Sequence, residues 1–266
     1  MAGIQRKGIW TVILLISFNL SPLLSQNVFI LAKDVNHFSP DLADDHFNNA
    51  LEHFYSGNTD SAIEEYEKSI YYHPGHVGSL LNLALIKMDA GDRTAAFKYL
   101  HKAELLDPEY SLTHYNLGVI YQEVGWYDEA KNSYLMAIKF DDQMVEAHTN
   151  LGRLYETLEK IDKSIKSYKE ALKIDPDFTL AHLNMGRVLL AQGKYDEALT
   201  HFNSIVFREP ENGIAHFYIA IIYYFLQDYG SSWHSIHLAE NLGSPTDVKF
   251  MRALAAAMPE PAVHPY

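Results

Sequence analysis

Cysteine is absent from this chain of 266 residues. Disulfides, thiolate-bound zinc and cysteine nucleophiles are therefore excluded. Positive charge is also scarce, because 21 lysines and arginines stand against 34 aspartates and glutamates, and the formal net charge is -13. Since an acidic surface repels phosphate backbones, binding to nucleic acid is disfavoured.

Motifs that carry catalysis or hold a cofactor are missing as well. The sequence has no glycine-rich phosphate loop, no His-Glu-x-x-His string and no pattern of a nucleophile triad. We therefore expect no enzyme activity, no cofactor and no metal site. Apolar residues make up 48% of the chain, which is enough for a folded core.

The start of the chain has the order of charges and apolar residues found in secretory signals. Arg6 and Lys7 precede an apolar run over residues 9–18. We predict that residues 1–25 form a signal peptide and that the protein is exported, to a periplasm or out of the cell. The alternative is an uncleaved membrane anchor, because apolar residues resume at 28–32 and the combined stretch is long enough to span a bilayer. Contact with the membrane is expected through this segment alone.

A period of 34 residues organises the remainder of the sequence. Pro74 and Pro108 are separated by this interval, and so are Pro176 and Pro210. A fixed period of this length indicates a stacked repeat protein. The predicted segments are a linker or N-terminal cap at 26–42, six units at 43–76, 77–110, 111–144, 145–178, 179–212 and 213–246, a capping helix at 247–258, and a tail at 259–266.

Each unit is predicted to contain two helices joined by a turn at its fifteenth position. In the fifth unit, residues 179–192 and 195–208 form the helices and Gly193 makes the turn, because glycine accepts the left-handed conformation that ends a helix. Glycine also stands there in units one, two and three. Units four and six have Glu159 and Gln227 instead, so we expect those two turns to be built differently.

Small and large residues recur at fixed positions of the unit. Position 8 is always alanine or glycine, with Gly152 and Gly186 in units four and five, whereas position 24 is always large. Small residues at a fixed position predict a close crossing of the two helices, which a larger side chain would overpack.

Three strings of residues resemble the tetratricopeptide-repeat family. They are His-Tyr-Asn-Leu-Gly at 114–118, Ile-Asp-Pro at 174–176 and Gly-Lys-Tyr-Asp-Glu-Ala at 193–198. The resemblance covers about residues 43–246 and implies an all-α fold, a right-handed superhelical solenoid of six helix pairs with a C-terminal capping helix. It also implies a non-catalytic scaffold whose concave groove binds an extended peptide segment. The alternative is a structural subunit of a membrane-associated or secretion complex, which docks through its apolar ends or its convex face.

Asparagine recurs at position 6 of five successive units. In the family the first helix of each pair lines the groove, and an amide offers both a donor and an acceptor to a peptide backbone. The column resembles the asparagine ladder in the tetratricopeptide region of O-linked N-acetylglucosamine transferase. The alternative is that asparagine is simply the repeat consensus there. The predicted peptide-binding residues are Asn48, Asn82, Asn116, Asn150 and Asn184, with Tyr115 beside them.

Two arginines occupy position 9 of adjacent units. Arg153 and Arg187 lie beside asparagines of the column, and together they are suited to hold an acidic segment through charge-assisted hydrogen bonds. The alternative is a local ion pair of Arg153 with Glu156 or Glu146. The carboxylate clamp that some tetratricopeptide domains use is not expected, because no unit has a basic residue at position 2.

Histidine recurs at position 4 of five units. Adjacent units are spaced by about one helix diameter, ~10 Å, whereas a zinc–nitrogen bond is only about 2 Å long. Adjacent histidines are therefore too far apart to share an ion, and we expect a structural role. These residues are His46, His114, His148, His182 and His216.

The first helices of units one and six are rich in large apolar residues. Exposed patches of this kind mark contact sites. The alternative is that the chain covers them itself, with residues 28–32 at the first unit and the C-terminal helix at the last. Cover at the last unit is the stronger expectation.

Overall fold

The computed structural model describes residues 37–244 and 246–259. The predicted signal peptide, its alternative as an anchor, and residues 28–32 lie outside this part of the chain. Every regular element within it is an α-helix, and none of those helices is long and apolar enough to cross a membrane. The chain forms two compact units, Met1–Ala130 and Lys131–Tyr266, which are described separately.

The first unit contains five helices and the start of a sixth. Helix α1 begins at Pro40, slightly before the predicted first repeat, because Ser39 caps it by accepting a hydrogen bond from the backbone N–H of Leu42 at 3.4 Å. Proline at the first helical position suits this start. The helices are α1 Pro40–Tyr55, α2 Thr59–Tyr72, α3 Val77–Asp89, α4 Arg93–Leu106 and α5 Ser111–Glu123, followed by α6 Tyr127–Phe140, in which the division between the units falls.

The second unit contains the remaining helices. They are α7 Val145–Thr157, α8 Ile161–Ile174, α9 Thr179–Ala191, α10 Tyr195–Arg208, α11 Gly213–Phe225, α12 Tyr229–Asn241 and α13 Val248–Ala257. Two helices thus fall in each of the six predicted repeats, and α13 follows them. The expected all-α fold of paired helices is confirmed.

The turn between the helices of each pair is the same whether or not it contains glycine. Gly193 has a φ of 73°, and the other three turn glycines also have positive φ. Glu159 has a φ of 57° and Gln227 a φ of 62°, so both adopt the left-handed conformation that glycine adopts. The prediction that these two turns are built differently is wrong.

Hydrogen bonds explain why the turn tolerates other residues. In the turn at Glu159, the N–H of Lys160 donates to the carbonyl of Tyr155 at 2.8 Å. The equivalent bond after Gly193 runs from Lys194 to Leu189 at 2.9 Å. These bonds hold the chain in one path, and a residue with a side chain there bears a conformational cost of about 1–2 kcal/mol.

The small residues at position 8 lie against large rings, as predicted. A Cβ added to Gly152 would lie 2.5 Å from Cε1 of Tyr168, and one added to Gly186 would lie 2.8 Å from Cζ of Phe202. Tyr168 and Phe202 are fully buried. Even a methyl group therefore has no room at these crossings, and the predicted close approach is confirmed.

Contacts between successive repeats place the first helices beside one another. In the second unit α9 contacts both α7 and α11, and in the first unit α3 contacts α5. The second helices of neighbouring repeats have no comparable contacts with one another. The stack therefore curves within each unit so that its first helices form the inner wall.

Helix α13 covers the last repeat, as the sequence predicts. The ring of Phe250 makes edge contacts with Phe217 at 5.9 Å and with Tyr224 at 5.6 Å between centroids. The indole N–H of Trp233 donates to the carbonyl of Met258 at 3.1 Å. The aromatic residues that would otherwise be exposed at this end are thus packed against the chain's own C-terminal helix.

Candidate functional site

The inner wall of the second unit is formed by α7, α9 and α11. Asn150 and Arg153 lie on α7, and Asn184 and Arg187 occupy the same two positions one repeat later on α9. Because α7 and α9 contact each other, these four positions lie on adjacent helices of the same wall.

The asparagines are much less accessible than an open ladder requires. Asn150 is 3% exposed and Asn184 is 4% exposed, and in the first unit Asn116 is 3% exposed. Tyr115, predicted to accompany the ladder, is 7% exposed. Only Asn48 is exposed, and Asn82 is half-buried. The structure therefore does not present the predicted row of five accessible amides.

Packing between repeats explains this burial. Tyr218 occupies position 6 of the last repeat, and its ring stacks on Phe202 of the preceding second helix with centroids 5.0 Å apart. A side chain at this position thus fits between a first helix and the second helix before it. Asn184 occupies the same position in its own repeat. The alternative interpretation, that asparagine is the repeat consensus, accounts for this geometry without a ligand.

The arginines differ from the asparagines because they lack charged partners. Arg187 is exposed, and its Nη1 lies 3.5 Å from Oδ1 of Asn184, at the limit of a hydrogen bond. Arg153 is half-buried, and its Nε is buried without a hydrogen-bond partner. Neither side chain pairs with a carboxylate of residues 37–244 or 246–259.

The local ion pair considered for Arg153 is not formed. The carboxylate of Glu156 accepts a hydrogen bond from the hydroxyl of Tyr168 instead. Burial, and next this hydrogen bond, raise the pKa of Tyr168 far above its ordinary value, so the hydroxyl keeps its proton. Because Glu156 is engaged by Tyr168, it does not neutralise Arg153, and both arginines remain without a carboxylate partner in the part of the chain that the structure describes.

The inner wall becomes apolar next to the arginines. Ile214 and Phe225 are exposed at the two ends of α11, and the ring of Phe225 stacks on Tyr195 with centroids 5.4 Å apart. The surface therefore combines two cations with neighbouring aliphatic and aromatic groups. Such a surface suits a segment with acidic and apolar side chains.

The recurring histidines have a structural role that the sequence did not specify. Nε2 of His182 lies 2.9 Å from the carbonyl oxygen of Pro176, and the same contact recurs in three other repeats. Because a carbonyl only accepts, Nε2 must carry the proton and donate it. Each histidine thus ties its helix to the end of the preceding repeat. His46 has no such neighbour, and its Nδ1 lies 2.6 Å from Oε2 of Glu65.

Family models match the chain along most of the repeat region. Three models of the tetratricopeptide repeat match residues 145–178, residues 113–143, and residues 47–111 with 183–231. The chain belongs to the tetratricopeptide-repeat family.

Solved structures with the same fold support this assignment. MamA is 27% identical, with a TM-score of 0.53 over 60% of this chain and 94% of MamA. PilF of Pseudomonas aeruginosa is 17% identical, with a TM-score of 0.72 over 81% of this chain and 98% of PilF. YrrB, described as a tetratricopeptide-repeat protein with an unusual peptide-binding site, is 21% identical, with a TM-score of 0.55 over 72% of this chain and 96% of YrrB.

The similar proteins establish the family and the fold and nothing further about this chain. No curated protein matches the sequence of this chain. The likeness of the asparagine column to that of O-linked N-acetylglucosamine transferase stays a prediction, and the burial of its central members argues against the same use here.

Proposed function

We propose that this protein is a non-catalytic scaffold that binds an extended polypeptide segment with acidic residues along the inner wall of its second unit. Arg153 and Arg187 contact the acidic side chains, and the apolar surface of α11 contacts the rest of the segment. This revises the hypothesis of an asparagine ladder, because the central asparagines are buried whereas the arginines lack a carboxylate partner among the described residues.

The buried Nε of Arg153, which has no hydrogen-bond partner, is the observation that supports this proposal most. A buried donor without an acceptor is costly, by about 1–3 kcal/mol and more for a charged group. When the Arg153 side chain turns toward the groove, a carboxylate from a partner can supply the missing acceptor, and Arg is the side chain best suited to bind it in two-pronged geometry. Binding would therefore remove a cost that the free protein bears.

The expected affinity is moderate. Hydrogen bonds to charged groups contribute about 1.5–3 kcal/mol each, and apolar contact with α11 adds to them. After the loss of freedom on binding is subtracted, an affinity near micromolar is expected, which corresponds to about -8 kcal/mol.

A peptide-display selection against the immobilised full chain tests the proposal. Peptides rich in glutamate, aspartate and apolar residues should be enriched, and Arg153→Met together with Arg187→Met should weaken an enriched peptide at least tenfold. Arg208→Met is the matched control, because Arg208, the last residue of α10, already pairs with Asp177 in the loop between α8 and α9. Enrichment of basic peptides, or equal binding by the double variant and the control, would contradict the proposal.

A second candidate function is that of a structural subunit in a larger assembly. Phe207 is 86% exposed and Leu105 is 83% exposed, and both stand at position 29 of their repeats, near the ends of second helices. Large apolar groups this exposed favour a docking role for the outer face. Size-exclusion chromatography of the full chain tests this function, since a monomer at all concentrations opposes it and concentration-dependent association supports it.

Export, with or without cleavage, is part of the proposed function. Its support is the sequence pattern of residues 1–25, and an uncleaved anchor is the alternative. Sequencing the N-terminus of the protein recovered from cells decides between them, and a protein found in the cytoplasm with its initial methionine would contradict both.

A further inference from the structure

Two histidines face each other across the fifth helix pair. His182 on α9 and His201 on α10 are both half-buried, and their Nδ1 atoms are 2.9 Å apart. The ring centroids are separated by 5.1 Å. The family fold does not require this contact, since the position of His201 is serine in three of the other repeats.

The protonation of the two rings follows from their neighbours. Nε2 of His182 donates to the carbonyl of Pro176, so the Nδ1 of a neutral His182 carries a lone pair. Nδ1 of His201 must then hold the proton that lies between the rings. Burial, and next the proximity of His182, lower the pKa of His201 to about 4.

We propose that Nδ1 of His182 and Nδ1 of His201 chelate one divalent late transition-metal ion, with Cu²⁺ preferred over Ni²⁺. Imidazole nitrogen suits these ions, and both favour square or tetragonal geometry. Two nitrogens at about 2.0–2.1 Å from one ion, and at right angles to each other, are about 2.9 Å apart. The observed separation, which in the metal-free protein is that of the N–H···N hydrogen bond between the rings, equals this spacing, and both rings must turn so that their lone pairs meet at the ion. Tetrahedral zinc would need about 3.3 Å.

The binding step is balanced in protons. The proton of His201 leaves Nδ1 and is replaced by one at Nε2, so that both Nδ1 lone pairs become available without net proton release. Water fills the remaining coordination positions, because residues 37–244 and 246–259 hold no group of three or more acidic or histidine side chains placed to bind an ion. The hydrogen bond from Nε2 of His182 to the carbonyl of Pro176 fixes the tautomer and the orientation of the ring, as such bonds do for metal-binding histidines.

The corresponding pair in the first repeat has a different chemistry. There Glu65 stands opposite His46, and Nζ of Lys68 lies 2.5 Å from the same carboxylate. In the fifth repeat a second imidazole faces the histidine instead, and the charged groups that act on His201 besides His182 are Glu197 and Lys169. This inference is independent of the proposed peptide binding.

Calorimetric titration of the full chain with NiCl₂ and with CuCl₂ at pH 7.5 tests the site. His201→Ser installs the residue of three other repeats and keeps the bond from His182 to Pro176, so it should fold with an unchanged melting temperature in the absence of metal. His216→Leu is the control, because it removes an equivalent structural histidine that has no imidazole opposite it.

The proposal predicts one site per chain that is lost or weakened at least tenfold in His201→Ser and retained in His216→Leu. Cu²⁺ bound to the wild type should also show electron paramagnetic resonance couplings to two imidazole nitrogens, and only one or none in His201→Ser. Unchanged affinity and stoichiometry in His201→Ser would overturn the site. Tighter binding of Zn²⁺ than of Ni²⁺ would overturn its tetragonal geometry.

Discussion

The inner walls of the two units use the same repeat for different surfaces. In the first unit, position 9 is apolar in every repeat, and Asn48 is exposed at position 6. In the second unit, Asn150 and Asn184 are buried, and position 9 carries Arg153 and Arg187. The comparison teaches that position 6 mainly serves packing between repeats, whereas position 9 is where the units differ in what they offer a partner.

The largest effect is expected from overpacking the second unit. Gly152→Leu should lower the free energy of unfolding by about 1–3 kcal/mol or more, because Tyr168 occupies the space that the side chain needs. In the first unit, position 8 is alanine at Ala84, with Leu100 rather than a ring in the same core cluster. Ala84→Gly, which only removes a methyl group, should cost about 1 kcal/mol. Urea unfolding measures both, and equal values for the two variants would show that the crossings do not differ.

The second-largest effect is expected from replacing the two arginines. The double change of Arg153 and Arg187 to methionine should weaken an acidic peptide at least tenfold, about 1.4 kcal/mol. Asn48→Ala, on the exposed amide of the first unit, should leave the same affinity within twofold. Fluorescence anisotropy with the labelled peptide measures both, and a larger loss for Asn48→Ala would move the site to the first unit.

Acid should destabilise the contact between His182 and His201 and the contact between His46 and Glu65 over different pH ranges. His201 has a folded pKa of about 4, below its ordinary 6.5, so its neutral form stabilises the fold above pH 6.5 and that contribution is lost as the pH falls toward 4. The neighbours that set this value after burial are His182, Glu197 and Lys169.

Glu65 stabilises the fold in its charged form, whereas His201 does so in its neutral form. Burial opposes its ionisation, but hydrogen bonds from Lys68 and His46 lower its pKa below 4.5, so its contribution is lost only below that value. Urea unfolding of the wild type, His201→Ser and Glu65→Gln at pH 7.5, 5.5 and 3.5 separates the two. The stability of the wild type relative to His201→Ser should fall between pH 7.5 and pH 5.5, whereas its stability relative to Glu65→Gln should stay constant over that range.

The smallest effect is expected at the turns. Glu159→Gly should raise the free energy of unfolding by less than about 1 kcal/mol, because relief of the left-handed strain is partly offset by the greater freedom of glycine in the unfolded chain. Gly193→Ala should lower it by about 1 kcal/mol. Thermal unfolding measures both changes, and a loss of stability in Glu159→Gly would show that this side chain supports its turn.

The fold was predictable from the sequence because two independent sets of recurring residues indicate the same repeat register. Pro74, Pro108, Pro176 and Pro210 mark the unit ends, and the small residues at position 8 mark the crossings. The turn at Glu159 was predicted wrongly because the rule for glycine treats local conformation alone. In the structure the bond from Lys160 to Tyr155 enforces the conformation regardless of the side chain.

The candidate site was only partly predictable. The arginines follow from their shared position, but the burial of Asn150 and Asn184 depends on packing against the preceding repeat. That Glu156 binds Tyr168 rather than Arg153 depends likewise on contacts between helices. The contact between His182 and His201 also depends on how the two helices of the repeat pack. Histidine at positions 4 and 23 of one repeat would have been a usable signal for it.

The most direct test of the central claim is a comparison of one acidic peptide with its glutamine counterpart. Both are titrated against the wild-type chain and against the Arg153→Met, Arg187→Met variant, so that the coupling between arginine and carboxylate is isolated. The account predicts that the wild type binds the acidic peptide at least tenfold more tightly and that this preference disappears in the variant. Equal binding of the two peptides by the wild type, or a preference that persists in the variant, would contradict it.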